Sequence, residues 1–135
     1  MALSCRVRQS AAKLAQVTRG EPDGLRVPAV ESVDRRNGAV VVRLAGELDL
    51  YNAGDVAATL EEIADEEPAR VVVDLSEVAF VDSTALGTLV QARKELGNGR
   101  LVLAAPGHDV RRALEVSGLV QHFTVSDSVD AALAP

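Results

Sequence analysis

Two apolar runs flank a polar turn in AVESVDRRNGAVVVRLAG, residues 29–46, with Arg36-Asn37-Gly38 between them. Asn-Gly accepts the positive φ angles that a two-residue type I′ turn requires. The pattern predicts a β-hairpin with strands near 30–35 and 39–45.

The period then changes to that of a helix. Beyond Gly46, Val56, Leu60 and Ile63 fall on one face, while Glu61, Glu62, Asp65 and Glu66 lie largely on the other. Asn52 is placed to cap this helix, Asp55 sits in its favourable first turn, and Pro68 marks the stop. Arg70 to Leu75 is dominated by Val and Leu without polar alternation, as expected of a central strand covered by helices. A second helix carries Leu86, Leu89, Val90 and Leu96 on one stripe and leaves through Gly97-Asn98-Gly99. The remainder predicts a strand over Leu101 to Ala104 and a helix with Val110 and Leu114 ending at Gly118. A short strand from His122 to Val125 follows, then a terminal helix through Leu133, capped by Ser126-Asp127 or Ser128.

The order is therefore ββαβαβαβα, an α/β domain with helices packed on a mixed, mostly parallel sheet that the hairpin opens. Strand–helix–strand units of this kind require right-handed crossovers. Functional groups in such sheets gather beyond the carboxyl ends of the strands, where helix N-termini also point. Asp49 to Asn52 and Asp82 to Thr84 both belong at that end.

Composition fits this picture: 135 residues, 47% hydrophobic and 25% charged, suit one globular domain. The formal charge of -6 hides an asymmetry. Residues 1–28 carry Arg6, Arg8, Lys13, Arg19 and Arg26 against Glu21 and Asp23, a balance of +3, so the rest is -9. An acidic body whose aromatics are Tyr51, Phe80 and Phe123 is a poor surface for phosphate backbones or bases, which argues against nucleic acid and for a partner with a basic face. Residues 1–28 place Val7, Ala11, Leu14 and Val17 at loosely helical spacing. They read as a flexible basic N-terminal extension, or a misassigned start, before a domain spanning 29–135. No stretch approaches the ~18 consecutive apolar residues of a membrane span, and the leader lacks an unbroken apolar core like that of a signal peptide. Cys5 is the single cysteine. A cytoplasmic protein without stable membrane association is the expectation.

The polar junction in VVVDLSEVAFVDSTALGTLV, residues 71–90, is the candidate for chemistry. In the plainest reading Asp82 or Ser83 caps the following helix, a role worth about 1 kcal/mol. In the other, a hydroxyl is presented from a rigid platform bounded by Val78, Phe80 and Val81. A serine nucleophile at a strand-to-helix turn would resemble a hydrolase, but the flanking glycines of a nucleophile elbow are missing and only His108 and His122 could act as base. Phosphate-cradling glycine motifs and metal-ligand spacings are absent from the sequence, so no cofactor is implied.

GELDLYNA (46–53), the 71–90 segment and VRRALEVSGLVQHFTVSDSVDAAL (110–133), taken in order, resemble the STAS domain of bacterial anti-sigma factor antagonists. The resemblance covers essentially residues 30–133. It implies a regulatory protein rather than an enzyme. Ser83 would be phosphorylated by an anti-sigma factor that is also a serine kinase of the GHKL type, and a serine phosphatase would reverse the modification. Unphosphorylated, the antagonist would bind the anti-sigma factor and free the sigma factor. The resemblance places Asp82, Thr84 and Ala85 around the acceptor, and Glu47, Asp49 and Asn52 in the neighbouring partner-contact loop. Ala85 stands where the family usually has Gly, and Asn52 where Thr is common. The competing reading within the family is a scaffold or accessory module of another complex, such as a stressosome or a lipid-transport assembly.

Charge explains how one modification could act as a switch. A phosphate adds about -1.5 to -2 charges; a helix N-terminus offsets this by roughly 0.3 to 1 kcal/mol, while Asp82 opposes it. A packed partner surface tolerates an unmatched dianion poorly, at roughly 2 to 5 kcal/mol.

Overall fold

A computed structural model describes residues 29–97 and 99–134; the expectation of a flexible segment over 1–28 lies outside the described residues. The elements are β1 (Val30–Arg36), β2 (Ala39–Leu48), α1 (Ala53–Asp65), β3 (Arg70–Val81), α2 (Ser83–Leu96), β4 (Leu101–Ala104), α3 (His108–Val116), a 3-10 turn (Leu119–His122), β5 (Thr124–Ser126) and α4 (Val129–Leu133). The five strands lie in sequential order; β1 pairs antiparallel with β2, and every later neighbour is parallel. Asn37 and Gly38 adopt φ of 50° and 85°, the two positive angles expected of the Asn-Gly turn.

The sheet is covered on both faces. Val42, Leu44, Val71, Val73, Leu75, Leu101 and Leu103 face a core completed by Val56, Leu60 and Ile63 of α1, Leu86 and Leu89 of α2, and Val110 and Leu114 of α3. Val41, Val72, Val102 and Ala104 face the other side, where Ala132 of α4 packs. Double coverage is why β3 shows no polar alternation over residues 71–73, all fully buried. Among the described residues, no helix is long and apolar enough to cross a membrane.

Three boundaries differ from the pattern-based expectation. Strands β2 and β3 continue past residues 45 and 75 to Leu48 and Val81. At Asp74-Leu75-Ser76-Glu77 the pairing slips, and it slips again between Gly46 and Glu47, so β3 advances further than β2 while pairing is kept. Asp74 Oδ1 accepts a hydrogen bond from the Ser76 amide at 3.0 Å, which holds the first bulge. The last strand begins at Thr124 rather than His122: Gly118, at φ 77°, turns the chain into the 3-10 segment that takes up His122. Of the two caps the pattern offers for α4, Ser128 is the one used, its hydroxyl accepting from the Ala131 amide at 3.0 Å.

Asp74 is the buried charged residue of the described core. Burial pushes its carboxyl up, but hydrogen bonds from Ser76 and from the Arg43 guanidinium (Nε to Oδ2, 3.1 Å), with the charge of Arg43, outweigh that and hold it below its usual value. The extended bulges carry β3 outward to the sheet's carboxyl end, where Asp82 and Ser83 begin α2.

Candidate functional site

Asp82 takes the capping role at the start of α2, leaving Ser83 free of it. Its backbone is extended (φ -104°, ψ -179°), and Oδ1 accepts from the Ala85 amide at 2.9 Å. Ser83 is therefore the first helical residue, and both it and Thr84 are exposed. Among the described residues, the Ser83 hydroxyl has no hydrogen-bond partner, and neither His108 nor His122 engages it. His108 is an exposed residue opening α3.

The β2–α1 loop lies against this helix start. Asp82 donates its own amide to the Leu48 carbonyl at 3.0 Å, and its second carboxylate oxygen, Oδ2, accepts from the Leu50 amide at 3.1 Å. Asp49 folds the loop on itself by accepting from the Tyr51 and Asn52 amides at 3.0 and 3.3 Å. Glu47 is exposed at the end of β2. The structure thus brings Glu47, Asp49, Asn52, Asp82, Ser83 and Thr84 to one end of the sheet.

Two expected site residues play different parts. Asn52 occupies the N-cap position of α1 but makes no capping hydrogen bond, because its backbone is already helical (φ -116°, ψ -1°). Its side chain turns back instead, Oδ1 accepting from the Asp49 amide at 2.9 Å and Nδ2 donating to the Glu47 carbonyl at 2.7 Å. Ala85, expected at the partner surface, is buried beneath the first turn of α2.

Three apolar side chains at this end were not singled out as site residues in the sequence. Leu50 and Tyr51 are 64% and 72% exposed at the tip of the loop, and Phe80 is 50% exposed near the end of β3. Exposed large apolar groups beside a polar site are the usual anchors of a protein interface. The signal was available: Leu50-Tyr51 sits in a loop whose polar neighbours, Asp49 and Asn52, satisfy each other and leave the apolar pair nowhere to bury. Val78 and Val81, by contrast, are buried. Among the described residues, no His, Cys, Asp or Glu cluster could hold a metal ion.

Comparison with known proteins agrees with this architecture. The STAS domain family matches residues 32–132, and the chain belongs to that family. It is 28% identical over 113 residues to the anti-sigma-F factor antagonist RsfB of Mycobacterium tuberculosis, covering 83% of this chain and 89% of the relative. It is 34% identical over 93 residues to an anti-sigma-B factor antagonist of Listeria monocytogenes, covering 67% and 82%. The crystal structure of an anti-sigma factor antagonist from Mycobacterium paratuberculosis superposes with a TM-score of 0.71 at 29% identity, covering 76% of this chain and 88% of that one.

Proposed function

We propose that this protein is an anti-sigma factor antagonist whose docking to an anti-sigma factor is controlled by phosphorylation of Ser83. The observation that carries the reading is the division of labour at the start of α2: Asp82 takes the cap, and Ser83 is presented, exposed and unengaged, on the first turn. A kinase needs a hydroxyl it can reach from solvent and hold in line with a phosphoryl donor. A residue fixed at a helix start meets that need with little rearrangement of the fold. The names of the relatives, anti-sigma-F and anti-sigma-B factor antagonists, supply the class of partner.

On this reading the unphosphorylated surface, with Leu50 and Tyr51 as apolar anchors and Glu47, Asp49, Asp82 and Thr84 around them, receives the anti-sigma factor and releases the sigma factor. That partner is itself the serine kinase, a serine phosphatase restores the surface, and this chain is a regulatory binding protein of the cytoplasm rather than an enzyme. Mass spectrometry of the protein purified from its own cells tests the assignment. A phosphate on Ser83, with the unmodified form co-purifying a kinase-type anti-sigma factor, is the expected result. Phosphate confined to another residue, or stable recovery in a complex that ignores the state of Ser83, overturns it.

A further inference from the structure

Helices α1 and α2 pack side by side and leave an open groove of about 280 Å³ between them. Ala57, Gly87 and Ala92 give it an apolar floor, and Glu61 and Glu95 stand on its rim. Thr84, next to Ser83, closes the end nearest the proposed phosphorylation site. The volume falls short of the ~300 to 1,000 Å³ typical of small-molecule pockets, so the groove suits a row of side chains better than a metabolite. Gly87 is exposed in the helix interior, and a Cβ built there meets nothing within 4 Å. Internal packing gives no reason for a helix-weakening residue at that point.

We propose that residues 1–28 of this same chain dock in the α1–α2 groove. Chemistry favours this occupant: the segment is +3 while the rest of the chain is -9, and Val7, Ala11, Leu14 and Val17 recur at a spacing that matches an apolar floor between acidic rims. Geometry favours it too. β1 runs antiparallel to β2, so Ala29, whose carbonyl accepts from the Ala45 amide at 2.9 Å, lies toward the sheet end where α1 and α2 begin. α1 packs on β1, so the chain enters beside the helix that forms one wall. The 28 residues before Ala29 reach up to about 90 Å when extended, against roughly 20 Å for the length of α1. Tethering gives an effective concentration on the order of millimolar, so even a weak contact is populated. The docking does not depend on Ser83 being the phosphoacceptor.

Cys5 is the chain's single cysteine, so a nitroxide attached there reports where the segment lies in the full protein. The expected result is that the amide signals of Gly87, Thr88 and Gln91 lose most of their intensity while Ala131 of α4, on the far face of the sheet, keeps its own. Sodium chloride at ~1 M, where the Debye length is ~3 Å, restores much of the loss. The paired substitutions Glu61→Lys and Glu95→Lys weaken the effect, and adding Arg6→Glu and Lys13→Glu to them brings it back. Groove signals that stay sharp overturn the proposal. Broadening of the same groove signals on nitroxide-free protein when nitroxide-bearing copies are mixed in overturns it as well, since the occupant is then a second molecule. No kinase takes part, so this outcome is independent of whether Ser83 is phosphorylated.

Discussion

Asp82 Oδ2 accepts a hydrogen bond from the Leu50 amide at 3.1 Å, 32 residues away in the chain, while its Oδ1 caps α2 through Ala85. One carboxylate therefore fixes the spacing between the helix that bears Ser83 and the loop that bears Leu50 and Tyr51. Asp82→Ala removes both bonds and is expected to cost about 0.5 to 2 kcal/mol, the usual range for a lost cap. Faster amide hydrogen exchange at Leu50 and at Ala85 should accompany it. Asp82→Asn has one oxygen where two are used, so it protects one of those amides and not both. An unchanged Leu50 rate in Asp82→Ala would mean that the loop holds itself.

Ser83→Ala is expected to fold with stability within about 0.5 kcal/mol of the parent, since Ser83 neither caps nor packs. It should retain the anti-sigma partner and take no phosphate. Ser83→Glu places charge where the phosphate would be and should weaken binding; full phosphorylation should weaken it roughly 30-fold to several thousandfold, from about 2 to 5 kcal/mol at ~1.4 kcal/mol per decade. Titration calorimetry of the variants against the partner reads the difference. Equal affinities for Ser83→Ala and the phosphorylated protein would sink the switch.

How far the fold was legible depended on where local and tertiary forces agreed. The Asn37-Gly38 hairpin and the stripes of α1 and α2 are local signals, and each matches the structure. The strand ends were hidden because Ser76, Glu77 and Glu47 are polar and exposed. They belong to strands through backbone pairing and the Asp74 bond to Ser76, which hydropathy does not register. At the site, residue types predicted that Asp82 or Ser83 would cap, but the choice is made by the extended backbone of Asp82. Asn52 shows the opposite failure. A good capping residue was expected to cap, yet the loop's own amide and carbonyl groups at Asp49 and Glu47 claim its side chain first.

Acid sensitivity should centre on Asp74. Its carboxyl is held below the ordinary value despite burial, by Ser76 and Arg43. A group with a depressed folded-state pKa contributes stability above its unfolded value of ~3.9, and that contribution is lost as pH falls through the folded value. Glu66, held low by its hydrogen bonds and charge contact with Arg35, acts in the same direction. That pair is half exposed, 55% and 40%, so it adds little. Urea unfolding from about pH 6 down to about pH 3 should show stability falling with pH in the parent. In Asp74→Asn the fall should be shallower, from a neutral-pH stability already lower by about 1 to 3 kcal/mol. Identical acid limbs in the two proteins would assign the sensitivity elsewhere.

Gly87 offers a test in which stability should rise. It lies inside α2 with no positive φ and with open space around an added Cβ, so Gly87→Ala adds a helix-favouring residue without a clash. The expected gain is about 0.5 to 1 kcal/mol, equivalent to roughly 2 to 8 °C in Tm for a domain of this size, measurable by calorimetry. The same methyl group raises the floor of the α1–α2 groove. If residues 1–28 dock there, the substitution should also reduce the broadening that a label on Cys5 produces at Thr88 and Gln91. A rise in Tm with undiminished broadening would place the segment elsewhere. A fall in Tm would show that the space above Gly87 is already filled, and that the substitution displaces what fills it.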